Sequence, residues 1–225
     1  MPSCGHGSTT AAGAPRLAEK HVQVMASSIP AVLTARRTVR FYKDAPVPAG
    51  LVGTLLEAAL AAPSAHNAQP TRFVVIESPD VKRRLAERMA RQWRRDLERL
   101  RTPEAAIHVE LRFSLKRFGE APALILVGFT MDEMDVYPDR ARRAAEHVMA
   151  VQSAAAAVQN LLLAAAANGL GACWCCAPLF CAGIVRRTLG LPRAFVPQAL
   201  VTLGYPAHTP PVPPRKSLDA VVSFL

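Results

Sequence analysis

Acidic residues are scarce. Seventeen Asp and Glu face 27 Lys and Arg across 225 residues, a formal charge of +10. Such an excess makes polyanions, anionic membrane surfaces and phosphorylated ligands candidate partners. Aromatics are also few, at 6%. Proteins that hold single-stranded nucleic acid stack bases on aromatic side chains along a basic groove. No such platform and no recognisable reading module is present, so nucleic acid is not the expected partner. Long apolar runs are missing too. The longest, Ala154 to Ala167, is broken by Gln159 and Asn160 and falls short of the roughly 20 residues a membrane span needs. Residues 1–28 lack an apolar core of secretory-signal length. Cysteine is limited to Cys4, Cys173, Cys175, Cys176 and Cys181. An odd number with four crowded together makes a poor disulfide framework and points to a reducing cytoplasm.

What is there can build a core: 51% of residues are hydrophobic and 20% charged. The length suits one domain or two small ones. Residues 1–28, rich in Gly, Ser, Thr and Ala, are expected to be a mobile arm. Cys4 and His6 in that arm are too few to hold a metal. Residues 29–225 are expected to fold as one domain. Helices are predicted at Ile29–Arg36, Pro48–Ala62, Pro79–Leu100, Glu104–Lys116, Asp139–Ala167 and Cys181–Leu189 from apolar residues recurring at helical spacing. Strands are predicted at Phe73–Ile76, Ala123–Phe129, Gly171–Cys176 and Gln198–Leu203, the first two as apolar runs buried on both faces. The arginine-rich helices after Pro79 read as solvated. The Ala-rich helix at Asp139–Ala167 reads as the core centre or a subunit seam. Asn168-Gly169 is its stop signal. The fold class is α+β.

Four segments carry chemistry. The first is Arg36-Arg37-Thr38-Val39-Arg40-Phe41, in which three guanidiniums surround a hydroxyl at a helix end, a donor set suited to phosphate. The second is Ala62-Pro63-Ser64-Ala65-His66-Asn67-Ala68-Gln69-Pro70-Thr71-Arg72-Phe73. It is a polar loop framed by prolines, whose hydroxyl and amides suit the edge of a heterocycle. The third is Asn168-Gly169-Leu170-Gly171 running into Cys173-Trp174-Cys175-Cys176-Ala177-Pro178. The fourth is Gly204-Tyr205-Pro206 followed by Arg215-Lys216. Taken singly, each has a plain alternative: a solvated helix end, a capped turn, a tight turn, a basic tail.

In this order and at these intervals the four resemble the nitroreductase family of FMN-dependent enzymes, over residues 29–225. Tyr137-Pro138-Asp139, Arg142-Arg143, Ala145-Glu146 and Leu179-Phe180-Cys181 are most similar to the branch joined to the deazaflavin coenzyme (F-420) glutamyl ligase. The resemblance implies a nitroreductase-like α+β fold. Its sheet would be central and mostly antiparallel, flanked by helices, in an intertwined homodimer. It implies that Arg36, Arg37 and Thr38 meet the FMN phosphate and ring edge. Arg40 would stand beside the pyrimidine end, where a cation stabilises the charge of the reduced ring. Pro63, Ser64, Ala65, Asn67 and Gln69 would reach the flavin of the partner subunit. Arg215 and Lys216 would form a second phosphate clamp. Cys176, Ala177, Pro178 and Leu179 would approach flavin N5. Pro178 has no N–H, which leaves Ala177 or Leu179 as donor. The family has Ser where Thr38 stands.

The implied activity is hydride transfer from NAD(P)H or a reduced deazaflavin to a small acceptor: a nitroaromatic, a quinone or an enoyl-type compound. The flavin does the chemistry, with no catalytic side chain and no metal. Two alternatives remain: reduction of a dehydro precursor of a deazaflavin coenzyme, and non-catalytic flavin or deazaflavin binding. The cysteines lack metal-knuckle spacing. Cys173 and Cys175 are expected on one strand face, Cys176 on the other, as small apolar residues. His108, His147 and His208 are isolated. Arg91, Arg94, Arg95, Arg99 and Arg101 fall in a predicted cap, Arg91–Gly119, and either steer anionic substrates or solvate its outer face.

Overall fold

The apolar run Ala123–Phe129 forms the strand on which the domain is built, with all seven residues buried. The structure is a computed structural model that describes residues 28–225; Cys4, His6 and the expected arm up to residue 27 lie outside the described residues. Six α-helices and four strands follow along them, with α1 and α2, and again α3 and α4, consecutive. The helices are α1 (Ile29–Ala35), α2 (Ala49–Leu60), α3 (Pro79–Arg99), α4 (Glu104–Gly119), α5 (Arg140–Ala167) and α6 (Ala182–Leu189). The strands are β1 (Thr71–Ile76), β2 (Ala123–Phe129), β3 (Gly171–Cys175) and β4 (Val196–Gly204). They form one antiparallel sheet in the order β1-β2-β4-β3.

Strand alternation sorts the core into two layers. Ile125 and Val127 of β2 and Val201 of β4 pack with Leu55 of α2 and Leu161 of α5. Leu124 and Leu126 face the other way, onto Leu85 of α3, Phe118 of α4 and Val185 of α6. A smaller cluster joins Phe129 and Met134 to Ala150 and Ala154 of α5.

Local signals account for the helix limits. The Ser28 carbonyl accepts from Ala31 (2.9 Å) and starts α1. The Ser78 hydroxyl caps α3 by accepting from Val81, and Asp139 caps α5 by accepting from Arg142 (2.9 Å). Gly169 ends the α5 turn at φ +72°.

Three expectations need correction. β1 is an edge strand with only Ile76 buried, so its apolar run is half-covered rather than buried on both faces. Helix α3 is not merely solvated. It buries Leu85, Ala86, Met89, Ala90 and Leu97, and even Lys82, whose ammonium donates to the Ala121 carbonyl at 2.7 Å; burial pulls that lysine's pKa down. Helix α5 is long and apolar enough by composition to cross a membrane, because the helix begins well before Ala154. It packs on α2 and the sheet, with Asn160 donating to the Ala58 carbonyl at 3.2 Å.

Candidate active site

The segment after α1 is strapped to the sheet rather than loose. Thr38 bridges Ala172 of β3, and Tyr42 bridges Pro206 beyond β4. The Val39 N–H donates to the Ala172 carbonyl (3.0 Å) and the Lys43 N–H to that of Tyr205 (2.8 Å). The Tyr42 hydroxyl donates to the Val39 carbonyl (2.8 Å) and lies 2.7 Å from the Thr202 hydroxyl. Burial raises the Tyr42 pKa, against a smaller lowering by Thr202. Val39 is buried against Gly171, where a Cβ would fall 2.6 Å from the Val39 Cβ. Only glycine admits that approach.

The strap places its arginines in two neighbouring concavities. Arg36 and Arg37 line a cleft of about 270 Å³ with Gly169, Leu170, Ala172 and Pro206. Arg37 also donates to the Thr34 carbonyl at 2.6 Å, which holds its guanidinium at the end of α1. Arg40 lines a larger cavity of about 780 Å³. Its walls are Trp93 and Asp96 of α3, Phe113 and Arg117 of α4, and residues Cys173 to Ala177. That volume suits a cofactor-sized ligand.

The loop after β3 turns back on itself. The Leu179 N–H closes a turn onto the Cys176 carbonyl at 3.0 Å. Pro178 is buried and has no N–H. Ala177 is therefore the N–H next to Pro178 that is left for a ligand.

The cysteines depart from expectation. Cys173, Cys175, Cys176 and Cys181 all line the large cavity, and only Cys173 is buried. Cys176 does not point away, because β3 ends at Cys175 and the chain turns there. The Cys173 and Cys175 sulfurs lie 3.4 Å apart. Their hydrogen bond, aided by Arg40 and Arg117 and opposed by burial, lowers the Cys173 pKa to about 7. Cys175 is correspondingly raised, and burial lifts Cys181 to about 11.

Other predicted residues stand apart. Pro63, Ser64 and Gln69 border a small pocket of about 20 Å³ against Ser153 and Ala157 of α5. None of the Pro63–Gln69 residues lines the cavity that Arg40, Cys176 and Ala177 share. The loop is held by Ala65 N–H donating to Ser153 Oγ (3.2 Å) and Gln69 N–H to Ser64 Oγ (3.0 Å). His66, Asn67 and Gln69 all have φ near +50°, a region that non-glycine residues seldom occupy. Arg215 and Lys216 are exposed, past the last strand. Of the five cap arginines, Arg99 alone lines the large cavity; Arg94 is paired with Glu98 and Glu104.

Sequence reading missed Trp93, Phe113 and Arg117. Phe113 and Arg117 stand four apart on α4, so their shared face was legible. What that face would meet was not.

A family model described as the nitroreductase family matches residues 33–205. The chain belongs to the nitroreductase family. Within it, an NADH dehydrogenase of Thermus thermophilus is 34% identical over 214 residues, covering 83% of this chain and 91% of the relative. Iodotyrosine deiodinase 1 of Rattus norvegicus is 27% identical over 221 residues, covering 92% and 73%. A nitroreductase from Desulfovibrio desulfuricans, solved in complex with FMN, superposes with a TM-score of 0.65 at 28% identity, covering 85% of this chain and 92% of that one. This nitroreductase-family chain is thus an oxidoreductase on the α+β scaffold expected of it.

Proposed function

We propose that the protein is an FMN-dependent oxidoreductase that passes hydride from a reduced nicotinamide or deazaflavin cofactor to a small acceptor. The carrying observation is that Arg40 and the 173–177 stretch share one wall of a cavity of about 780 Å³. The donor set fits the cofactor. Guanidiniums border a cleft beside the strap, a further cation lines the cavity, and one backbone N–H is left at Ala177. The relatives support the cofactor and donor class, since one was solved with FMN and another is an NADH dehydrogenase.

When bound, FMN supplies two-electron hydride chemistry at N5. Arg36, Arg37 and Thr38, with Arg215 and Lys216, would hold its phosphate by charge-assisted bonds. Arg40 would stabilise negative charge at the pyrimidine end. Ala177 would donate its N–H toward N5. Pro63, Ser64, Ala65, Asn67 and Gln69 would serve the partner subunit's cofactor, consistent with their separation from Arg40 within one chain. The homodimer is part of the proposal.

A narrower reading makes the protein a reductase of a deazaflavin precursor. It rests on the likeness of Tyr137-Pro138-Asp139 and Arg142-Arg143 to the ligase-joined branch. Here those residues build a helix start: Asp139 caps α5 and the Arg142 guanidinium sits 4.9 Å from the Tyr137 ring centre. Their role in capping selects no substrate.

Anaerobic stopped-flow decides between the readings. Purified protein should carry a flavin absorbance that bleaches with NADH or NADPH and returns with a quinone or nitroaromatic. Return of the absorbance with a dehydro precursor of a deazaflavin coenzyme, but with neither quinone nor nitroaromatic, would favour the narrower reading. Bound flavin that no donor reduces would leave a binding protein, and a colourless protein that takes up no FMN would end the proposal.

A further inference from the structure

Glu146 is a buried carboxyl group that the proposed reaction does not use. It lies in the second turn of α5, its side chain is 3% exposed, and its Oε2 has no hydrogen-bond partner. Among the described residues no Lys or Arg stands within ion-pair reach of it. A buried carboxylate without compensation costs several kcal/mol, on the order of the whole stability of a small domain. An orphaned oxygen on a buried side chain calls for a partner.

Two other side chains converge on the same point. His66, from the turn within the Pro63–Pro70 loop, places Nε2 3.4 Å from Glu146 Oε1. Asp135, from the turn after β2, places Oδ2 4.0 Å from the same Nε2. One donor atom from each residue lies within 4.8 Å of the others. Donors on a common ion held at ~2.1 Å stand about 3–3.5 Å apart, so small rotations of the two exposed side chains complete such a set. The Thr130 N–H donates to the Pro70 carbonyl, joining β2's end to the same loop.

We propose that His66, Asp135 and Glu146 form a divalent-metal site that ties the Pro63–Pro70 loop and the turn after β2 to helix α5. One imidazole with two carboxylates is a donor set for Mn²⁺, Fe²⁺ or Zn²⁺. An all-oxygen cage would be needed to favour Ca²⁺ or Mg²⁺. The ion would neutralise Glu146 and clamp three segments distant in sequence. It does not depend on the proposed redox function, and its site is separate from the large cavity.

The test is a Mn²⁺ titration of the full-length protein after chelator treatment, with free Mn²⁺ followed by electron paramagnetic resonance. Mn²⁺ is chosen because the cysteine thiols hold it poorly. The expected result is one Mn²⁺ per chain, weakened at least tenfold in His66→Gln, Asp135→Asn and Glu146→Gln, the range usual for loss of a supporting group. Asp135 is exposed, so Asp135→Asn keeps the comparison if the buried variant fails to fold. A Zn²⁺ series on the same four proteins is the second arm. Binding of neither ion, or binding that all three variants retain, would overturn the site and leave His66 and Glu146 as a side-chain contact without an ion.

Discussion

Individual side chains divide the labour of the cleft. Arg36 borders it without a carboxylate partner among the described residues, so Arg36→Ala should remove a charged hydrogen bond worth about 1.5–3 kcal/mol of FMN affinity. Flavin-fluorescence titration of cofactor-free protein checks this, and unchanged affinity would move the phosphate anchor elsewhere. Cys173 makes a sharper prediction. Its pKa near 7, set first by the Cys175 hydrogen bond, means that alkylation followed by mass spectrometry should rise with pH around a midpoint of about 7. In Cys175→Ala the midpoint should climb toward the ordinary thiol value of ~8.5. The stability sign follows: a thiol pKa lower in the folded state stabilises most above the unfolded-state value. That contribution fades as pH falls through about 7.

At the scale of elements, the strap and β3 act together. Gly171→Ala would set a methyl 2.6 Å from the Val39 Cβ. Overpacking of this kind costs about 1–3 kcal/mol, and relief by moving the strap would shift Arg36 through Arg40. A lower melting temperature together with weaker FMN binding is expected. Gly50→Ala, with nothing within 4 Å, is the control and should leave both unchanged or slightly improved. Tyr42→Phe tests the same strap from the other end. It strands a Val39 carbonyl bonded at 2.8 Å, for about 1–3 kcal/mol by thermal melts. Equal stability would show that water replaces the hydroxyl.

For the whole molecule, the question is what covers α5 and what the charge does. Val148 is exposed on α5 and Leu60 at the end of α2, and in the proposed homodimer a second copy would cover apolar side chains of this kind. Analytical ultracentrifugation at micromolar concentration should give a flavin-loaded dimer, and a flavin-loaded monomer would refute it. The charge of +10 does not concentrate at the cavity. Arg40, Arg99 and Arg117 line it beside Asp96 and Glu110, which nearly balances. Neutral and anionic acceptors should therefore follow parallel kcat/KM lines across a salt series, and a loss specific to the anion would revive steering.

Periodicity and local stop signals were enough to place six helices and four strands. Leu55 and Ala59 announce the buried face of α2 by spacing, and Asp139 and Gly169 announce ends by their own chemistry; in α5, where Ala faces nearly all round, the buried face through Ala154, Val158 and Leu161 was not legible. Motif order was likewise enough to name the family. Neighbours distant in the chain were not legible. That β1 lies at the sheet's edge depends on which strands pair, a choice made among all strands at once. The gathering of four cysteines with Arg40 and Arg117 depends on where α3 and α4 pack. The meeting of His66, Asp135 and Glu146 joins residues up to 80 positions apart. Short-range pattern sets what each segment becomes, because backbone hydrogen bonds and alternation act over a few residues. Only the closing of the core over the sheet decides which side chains share a cavity.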